Sequence, residues 1–364
     1  MRILVAMSGG VDSSVVAALL REQGHDVVGA TLQLYDHGAA IQKKGACCAG
    51  QDIHDARRVA DALDIPHYVL DREERFRRAV IDDFAATYAR GETPIPCIRC
   101  NQTVKFQDLV ALARDLGCEA LATGHYARRV EGPGGAELHR AADPLRDQSY
   151  FLFATTRDQL DFARFPLGDM PDKAAVRAAA ERLGLAVAAK PDSQDICFVP
   201  EGRSDRLVAK LQPETAEAGE IVDLTGQVLG RHEGIGRYTV GQSRGLGLGG
   251  GEERLFVSAI DAPRRRIVVA PRAALPRRDV VAAEVNWLCP PPEAPIRVQA
   301  KLRGRESPRP GTASWDAAAG VIRLQLDEAN IVAPGQACVL YDGERLLGGG
   351  FLRTAEIDRA GAAA

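Results

Sequence analysis

The sequence lacks several features that define large classes of proteins. No apolar stretch approaches the roughly 20 residues that a membrane-spanning helix requires, so we expect no membrane partner. The chain begins Met1-Arg2-Ile3-Leu4 and enters an apolar run at once, so we expect no signal peptide and a cytoplasmic location. Eight cysteines in 364 residues without a secretory signal predict reduced thiols used for chemistry or metal binding, not a disulfide scaffold.

A glycine-containing turn follows the first apolar run. Residues 3–6 are short, branched and apolar, which predicts a buried parallel strand, and helical spacing of apolar residues begins near Val15. Gly9 and Gly10 let backbone N–H groups converge on one point, where the helix dipole also favours an anion. The turn is therefore expected to bind phosphate. It lacks the lysine that the common G-x-x-x-x-G-K-[ST] nucleotide loop uses for the β- and γ-phosphates.

The first half of the chain alternates strand and helix patterns. Strands are predicted at residues 26–32, 66–70 and 119–123, and helices at 52–63, 76–88 and 104–116. This alternation predicts an α/β fold with a doubly wound parallel sheet. Nucleotide should bind at the carboxyl edge of the strands, where Gly9 and Gly124 both emerge.

Strand-like patterns dominate from about residue 219, and we predict strands at residues 220–224, 238–240, 255–257 and 267–269. We predict a catalytic domain at residues 1–204, a small β-rich central domain at 205–272, an antiparallel β-barrel at 273–358 and a tail at 359–364. Residues 264–309 contain eleven Lys and Arg against four Asp and Glu, a local charge of +7 within a chain of net charge −3. Such a segment is either a solvated charged face or a surface for a phosphate backbone.

The cysteines are the main candidates for chemistry. Cys97 and Cys100 form a C-x-x-C pair that is expected in a loop before a helix, where the helix N-terminus and Arg99 would stabilise a thiolate. Cys197 follows a polar stretch, and Cys47 and Cys48 are adjacent in another loop. A C-x-x-C pair alone is compatible with redox chemistry, zinc or an iron–sulfur site.

Taken together, the motifs resemble one family. Ser-Gly-Gly-Val-Asp-Ser at residues 8–13 resembles the pyrophosphatase loop of N-type ATP pyrophosphatases, which cleave ATP between the α- and β-phosphates. The ordered set of motifs over nearly the whole chain resembles the tRNA-specific 2-thiouridylase family. The set comprises residues 8–13, 93–94, 100–101, 105–106, 123–128, 147–152, 192–198, 241–247 and 347–350.

The resemblance implies that ATP adenylates the C2 carbonyl of the wobble uridine (position 34) of tRNA, after which sulfur replaces the oxygen. It implies that Cys197 carries the sulfur as a persulfide and that Cys100 is the nucleophile that resolves the transfer. A sulfur-relay protein or a cysteine desulfurase would supply the persulfide, and the tRNA substrates would be the Lys, Glu and Gln isoacceptors.

The resemblance also implies the binding residues. For ATP, with Mg²⁺ held by Asp12, these are Ala6, Met7, Ser8, Gly9, Gly10, Val11, Asp12, Ser13, Leu32 and Gly124. For tRNA they are Ile95, Pro96, Cys97, His125, Arg146, Asp147, Gln148, Arg303 and Gln336. Gln148 is suited to reading a flipped uracil because its side-chain amide both donates and accepts hydrogen bonds.

Cys97 departs from the family pattern, in which many members carry an aspartate. Cys97, Cys100 and Cys197 could instead hold a [4Fe–4S] cluster with one iron open to sulfide, an alternative to the persulfide relay. Two rival functions also stay open. An adenylating ligase or amidase of the argininosuccinate or GMP synthase kind would not need the two cysteines, and a non-catalytic tRNA-binding protein would not exchange pyrophosphate.

Overall fold

The computed structural model describes residues 1–35, 48–192, 196–199, 203–249 and 253–353, without the side chains of residues 48 and 49. The Cys47-Cys48 side chains, residues 193–195 and the predicted tail lie outside the described residues. Two compact units are present. The first comprises Met1–Val80, Cys97–Phe198 and Glu344–Leu347, and the second Ile81–Pro96, Val199–Gly343 and the chain from Gly348 onward. The predicted boundaries at residues 204, 272 and 358 stay predictions.

The first unit contains a parallel sheet. Its strands are β1 (Arg2–Ala6), β2 (Asp26–Gln33), β3 (His67–Asp71), β4 (Ala120–Ala122) and β7 (Ala163–Arg164). Between β4 and β7 in the chain, β5 (Ala127–Gly132) and β6 (Gly135–Arg140) form an antiparallel hairpin. The order is β3-β2-β1-β4-β7 with every pair parallel. The predicted doubly wound α/β fold is confirmed, and the direction of winding reverses between β1 and β4.

Helices cover this sheet because their apolar residues recur every three or four positions. The core joins Val5 of β1 with Val15 and Val16 of the first helix. In chain order the helices are α1 (Val11–Glu22), α2 (Cys48–Ala62), α3 (Glu73–Phe76), α4 (Asp82–Ala89), α5 (Pro96–Cys100), α6 (Phe106–Asp115), α7 (Arg157–Phe162), α8 (Lys173–Arg182) and α9 (Ser204–Leu211). Helices α4 and α9 belong to the second unit.

The C-x-x-C pair is helical, so its predicted placement in a loop is wrong. Both cysteines lie in α5, which begins at Pro96, and a π-helical turn (Asn101–Lys105) joins α5 to α6. Proline is well suited to the first position of a helix, where its fixed φ is helical and its missing N–H would have no partner. The stretch 93–96 has the composition of a helix breaker, but Pro96 in fact begins the helix.

The second unit contains two β structures. Strands β8 (Gly219–Val222), β9 (Val228–His232), β10 (Leu255–Asp261) and β11 (Arg266–Pro271) form a sheet of order β10-β11-β8-β9. Strands β12 (Arg277–Trp287), β13 (Ile296–Lys301), β14 (Arg309–Asp316), β15 (Val321–Asn330), β16 (Ala337–Asp342) and β17 (Arg345–Arg353) follow. The pairing of β12 with both β15 and β17 closes these six into an antiparallel barrel, as predicted.

One predicted strand of the second unit is wrong. Residues 238–240 are not a strand, although Tyr238 is buried in the core of the small sheet with Ile235 and Val257. The apolar alternation there reflects packing, because a 3₁₀ turn (Ile235–Arg237) precedes the segment and Gly241, at φ +90°, turns the chain away. Within the described ranges, no helix is long and apolar enough to cross a membrane.

Candidate active site

The turn after β1 is closed by its own polar groups. The backbone N–H of Ser8 donates to Ser13 Oγ at 3.0 Å, and Ser14 Oγ donates to the carbonyl of Gly10 at 2.9 Å. Gly9 has φ +72°, and a Cβ there would lie 2.2 Å from the carbonyl oxygen of Asp52, so only glycine fits. The turn is therefore rigid before any ligand arrives.

The carboxyl ends of β1 and β4 bring the predicted nucleotide residues together. A Cβ on Gly124, which follows β4, would lie 3.0 Å from the backbone nitrogen of Ser13. Leu32 lies near the carboxyl end of β2, the neighbour of β1. This is the switch point of the sheet, where open α/β folds bind ligands, and it coincides with the N-terminus of α1.

Asp12 lies at the centre of a network that the sequence does not reveal. Lys173 Nζ donates to both Asp12 carboxylate oxygens at 2.7 and 2.8 Å, and Tyr126 Oη donates to Asp12 Oδ1 at 2.7 Å. Lys173 also contacts Asp192 Oδ1 at 2.9 Å, and Arg146 Nη1 contacts Asp192 Oδ2 at 2.8 Å. No local pattern predicts a contact between residues 161 positions apart.

A second lysine, Lys190, contacts the backbone of the turn. Lys190 Nζ donates to the carbonyl of Gly9 at 3.0 Å and to Asp52 and Asp55 at 2.8 and 2.6 Å. Lys190 therefore ties the first turns of α2 to the turn after β1. Although partial burial opposes it, the hydrogen bonds and the charge of Lys190 lower the pKa of Asp55, so the pair stays charged at neutral pH.

The cysteine site is organised around Lys105. Its ammonium group interacts electrostatically with the thiols of Cys100, Cys97 and Cys197, which come from α5 and from a distant segment. In an α-helix, residues five apart point in different directions. The π-helical turn closes with a bond from the Phe106 N–H to the Asn101 carbonyl, which brings residues five apart onto one face. In the sequence, Lys105 stands out only as part of a motif.

Burial and Lys105 act in opposite directions on the thiols. Cys100 is buried, and desolvation raises its pKa to about 11, with Lys105 lowering it and the two other thiols raising it. The pKa of Cys197 is also raised by desolvation from surrounding atoms, even though its side chain is exposed to solvent, while Lys105 and a bond from Tyr35 lower it. Cys97 is exposed. The expected stabilisation of a Cys100 thiolate is thus wrong for the resting state.

Aromatic residues flank this site. Phe198 packs edge-on against Phe76 at 5.6 Å between ring centroids, and Tyr35 packs on the same Phe76 at 5.9 Å. Phe76 is fully buried, so the segment that carries Cys197 is anchored on the core by its neighbour. The sequence shows an apolar residue after Cys197, but it does not show that Phe76 is its partner.

The predicted tRNA residues of the first unit have internal partners. His125 stacks on Phe106 at 6.2 Å and pairs with Thr123 Oγ1 at 2.9 Å. Desolvation, and secondarily the charge of Lys105, lower its pKa to about 3, so the ring is neutral at physiological pH. Asp147 accepts from Ser149, and Gln148 Oε1 accepts from the N–H of Tyr126 at 3.0 Å.

The predicted tRNA residues of the second unit differ in their bonding. Gln336 Nε2 donates to the carbonyl of Thr93 at 3.2 Å, and Ile95 and Pro96 are buried. Arg303 Nη2 is buried with no hydrogen-bond partner among the described residues. Much of the predicted basic segment is neutralised by ion pairs, namely those of Arg264, Arg265, Arg266, Arg297 and Arg309.

Comparisons with known proteins cover the whole chain. Three family models match in succession: a tRNA methyl transferase HUP domain at residues 1–201, a tRNA methyl transferase PRC-barrel domain at 207–271 and an aminomethyltransferase beta-barrel domain at 277–352.

Individual relatives match at high identity. A tRNA-specific 2-thiouridylase MnmA from Acidiphilium cryptum is 64% identical over 97% of this chain and 100% of the relative. Those from Gluconobacter oxydans and Rhodospirillum centenum are each 62% identical, over 97% and 99% of this chain and 99% and 93% of their own lengths. With its phosphate-type turn, its thiol site and this full-length similarity, the chain belongs to the tRNA-specific 2-thiouridylase MnmA family.

Proposed function

We propose that this protein is an ATP-dependent tRNA sulfurtransferase that converts the wobble uridine to 2-thiouridine, with AMP and pyrophosphate as the other products. The observation that carries the proposal is that the first unit contains both an anion-binding turn at a sheet switch point and a group of thiols around one lysine. An adenylating enzyme that transfers nitrogen has no use for the second feature. Full-length similarity to enzymes named 2-thiouridylases supports the same conclusion.

In the first half-reaction, ATP binds at residues 6–13 with Leu32 and Gly124, and the C2 oxygen of uridine attacks the α-phosphorus. Pyrophosphate leaves, and the base carries AMP on its former carbonyl oxygen. The converging N–H groups of the turn and the α1 dipole stabilise the charge on the phosphates. Adenylation turns a poor leaving group into a good one.

In the second half-reaction, the terminal sulfur of a persulfide on Cys197 attacks C2, and AMP departs with the oxygen. The Cys100 thiolate then attacks Cys197 Sγ, the sulfur–sulfur bond breaks and the transferred sulfur stays on the base. The product is 2-thiouridine and a Cys100–Cys197 disulfide, which an external dithiol reductant returns to two thiols. Lys105 stabilises the thiolate that Cys100 must form, because it is the cation that interacts with both sulfurs.

Mg²⁺ fits Asp12 as its one protein ligand. Mg²⁺ in nucleotide sites is typically bound by one or two carboxylates, several waters and the phosphates themselves. Asp12 is in the first turn of α1 beside the Ser8–Ser13 turn, and it presents two carboxylate oxygens. Mg²⁺ would supply charge neutralisation for the leaving pyrophosphate.

The iron–sulfur alternative would use Cys97, Cys100 and Cys197. Among the described residues, no group of three or more His, Cys, Asp or Glu side chains is arranged to hold a metal. These residues as arranged do not fit the cluster, so we propose the persulfide relay.

The partners proposed are tRNA of the Lys, Glu and Gln isoacceptors and, in the cytoplasm, a sulfur-relay protein or cysteine desulfurase as persulfide donor. Gln148 is suited to the flipped base because its Oε1 is fixed on Tyr126, which orients Nε2 as a donor. We assign Arg303 to tRNA together with Gln336, because one guanidinium nitrogen of Arg303 is buried without a hydrogen-bond partner among the residues that the structure describes.

The test is nucleoside analysis of unmodified tRNA incubated with the protein, ATP, Mg²⁺ and a persulfide source. We expect 2-thiouridine only when all components are present, and one AMP for each thiolated base. Iron and acid-labile sulfide are quantified in the same anaerobic preparation. Activity that requires about four irons per chain would replace the persulfide relay by the cluster, and no thiolation under either condition would refute the proposed function.

A further inference from the structure

The turn after β1 lacks a lysine, but the fold brings one to it from a distant helix. Lys173 is the first residue of α8, and its Nζ lies 2.7 and 2.8 Å from the two carboxylate oxygens of Asp12 in the first turn of α1. The Asp172 carboxylate accepts from the N–H of Ala175 at 2.7 Å, which fixes the start of α8 and hence the base of the lysine side chain.

The surroundings of Lys173 hold its charge beside the turn. Its side chain is only 11% exposed, and its Nζ lies 5.8 Å from the centre of the Tyr126 ring. Asp192 Oδ1 accepts from it at 2.9 Å, and the other Asp192 oxygen accepts from Arg146. Lys173 is thus also held by a carboxylate that has cations of its own, Arg146 and Arg177.

The Asp12 carboxylate cannot bind Lys173 and Mg²⁺ at the same time through the same oxygens. A hard divalent cation in direct contact takes carboxylate oxygens that Lys173 now occupies, and the two cations repel each other. A bound triphosphate brings oxygens of higher charge to the turn, within the reach of a flexible four-carbon side chain. Lys173 therefore has an acceptor that can replace Asp12 only when nucleotide is present.

We propose that Lys173 is the phosphate-binding lysine of this site: it leaves Asp12 for the β- and γ-phosphates when Mg–ATP binds, while Asp192 keeps it positioned. This inference rests on the proposed function, because it assumes that the turn binds ATP. It assigns to α8 the role that the common nucleotide loop gives to a lysine within its own sequence.

The test compares equilibrium binding of ATP, pyrophosphate and AMP by calorimetry, with Mg²⁺ and without tRNA. Lys173→Met should weaken the binding of ATP and of pyrophosphate by about ten- to hundredfold, the loss expected for a charge-assisted contact. Binding of AMP, which lacks the β- and γ-phosphates, should change less than about twofold. Lys173→Arg, which keeps the charge, should recover most of the affinity for ATP.

Arg182→Met is the matched control, because Arg182 ends the same helix and pairs with Glu22. It should bind all three ligands as the wild type does. The inference would be overturned if Lys173→Met bound ATP with normal affinity, or if its affinity for AMP fell as much as its affinity for ATP. It would also be overturned if Lys173→Arg bound ATP as weakly as Lys173→Met. Wild-type protein that binds no ATP would instead refute the proposed function.

Discussion

The nucleotide turn and the thiol site belong to one unit, yet their polar groups are satisfied in opposite ways. The turn at residues 8–14 bonds to itself, and the two lysines beside it each contact a pair of carboxylates. Among the described residues, Lys105 is the cation that acts on all three sulfurs of the thiol site, and desolvation raises the pKa of Cys100 to about 11. The first site therefore consists of paired charges, whereas Cys100 in the second site is mostly a neutral thiol at neutral pH.

This difference separates the two halves of the proposed reaction. A rigid turn with two lysines beside it can bind and activate ATP with little reorganisation beyond the proposed movement of Lys173 from Asp12 to the phosphates. A thiol with a pKa of about 11 is a poor nucleophile at neutral pH, since the thiolate is the reactive form. Sulfur transfer therefore requires a step that adenylation does not, namely the formation of the Cys100 thiolate.

The largest effect on the difference between the two sites is expected when the sulfur of either Cys100 or Cys197 is removed. Cys100→Ser and Cys197→Ser should each lower 2-thiouridine formation at least about 10³-fold, because each loses a nucleophile. Both variants should retain tRNA-dependent exchange of labelled pyrophosphate into ATP within a few fold, because the turn is untouched. Loss of exchange together with thiolation would mean that the two sites are not separable.

The second prediction concerns a substitution in the turn at residues 8–14. Gly9→Ala places a Cβ 2.2 Å from the Asp52 carbonyl at a φ of +72°, so we expect strain of about 1–3 kcal/mol and an affinity for ATP reduced about ten- to hundredfold. Calorimetric titration with ATP measures the affinity. Alkylation of Cys197 by iodoacetamide should be unchanged, because the thiol site does not depend on the turn.

Gly10→Ala is the control for Gly9→Ala. Gly10 has φ −90°, and the atom nearest to an added Cβ would be Ser8 Oγ at 3.5 Å, so alanine should be tolerated. ATP affinity within about threefold of the wild type is the expected result. Equal damage from both substitutions would indicate that the turn fails for reasons other than the left-handed conformation of Gly9.

The sequence predicts the turn well and the thiol environment poorly, for a physical reason. The turn is local: a strand, two glycines and a helix start are adjacent in the chain, and their conformational preferences act at short range. The pairs Lys173–Asp12 and Lys190–Asp55 form only when α1, α2 and the region of α8 have packed together, and neither lysine carries a local signal.

The thiol site depends on two features that residue patterns do not encode. Pro96 begins a helix where the sequence predicts a break, and the π-helical turn rotates Lys105 onto the face of Cys100. Desolvation then reverses the expected direction of the Cys100 pKa. Family resemblance indicates the positions of Cys100 and Cys197, but their protonation is a property of the packed structure.

The third prediction concerns the effect of the Lys105 charge on the pKa values of the thiols. Lys105→Met removes the cation that lowers the pKa of Cys100 and Cys197, so both values should rise and the thiolate fraction at pH 8 should fall about tenfold. Site-resolved mass spectrometry after timed alkylation measures the rates. Arg114→Met, which removes a charge of α6 that is paired with Asp158 of α7, should leave both rates unchanged.

His125 gives an independent measure of the same charge. Desolvation and Lys105 hold its folded pKa near 3, below the unfolded value of about 6.5, so the unfolded state binds the extra proton first. The free energy of unfolding should therefore fall as the pH drops from about 6.5 towards 3. In Lys105→Met the His125 pKa, followed by NMR of the ring, should rise and this loss should shrink. An unchanged His125 pKa would contradict the placement of Lys105.

The smallest effect is expected at Cys97, the exposed member of the three thiols. In the persulfide relay neither sulfur–sulfur bond involves it, so Cys97→Asp should keep thiolation within about threefold in the nucleoside assay. The carboxylate should also raise the pKa of Cys100 slightly, as the Cys97 thiolate does, which the alkylation rate at pH 8 would report. A Cys97→Ser variant that lost thiolation while keeping pyrophosphate exchange would require a third sulfur ligand or carrier. Such a result would join the three thiols into one functional group, and iron quantified in the same preparation would then decide between a three-cysteine relay and a cluster.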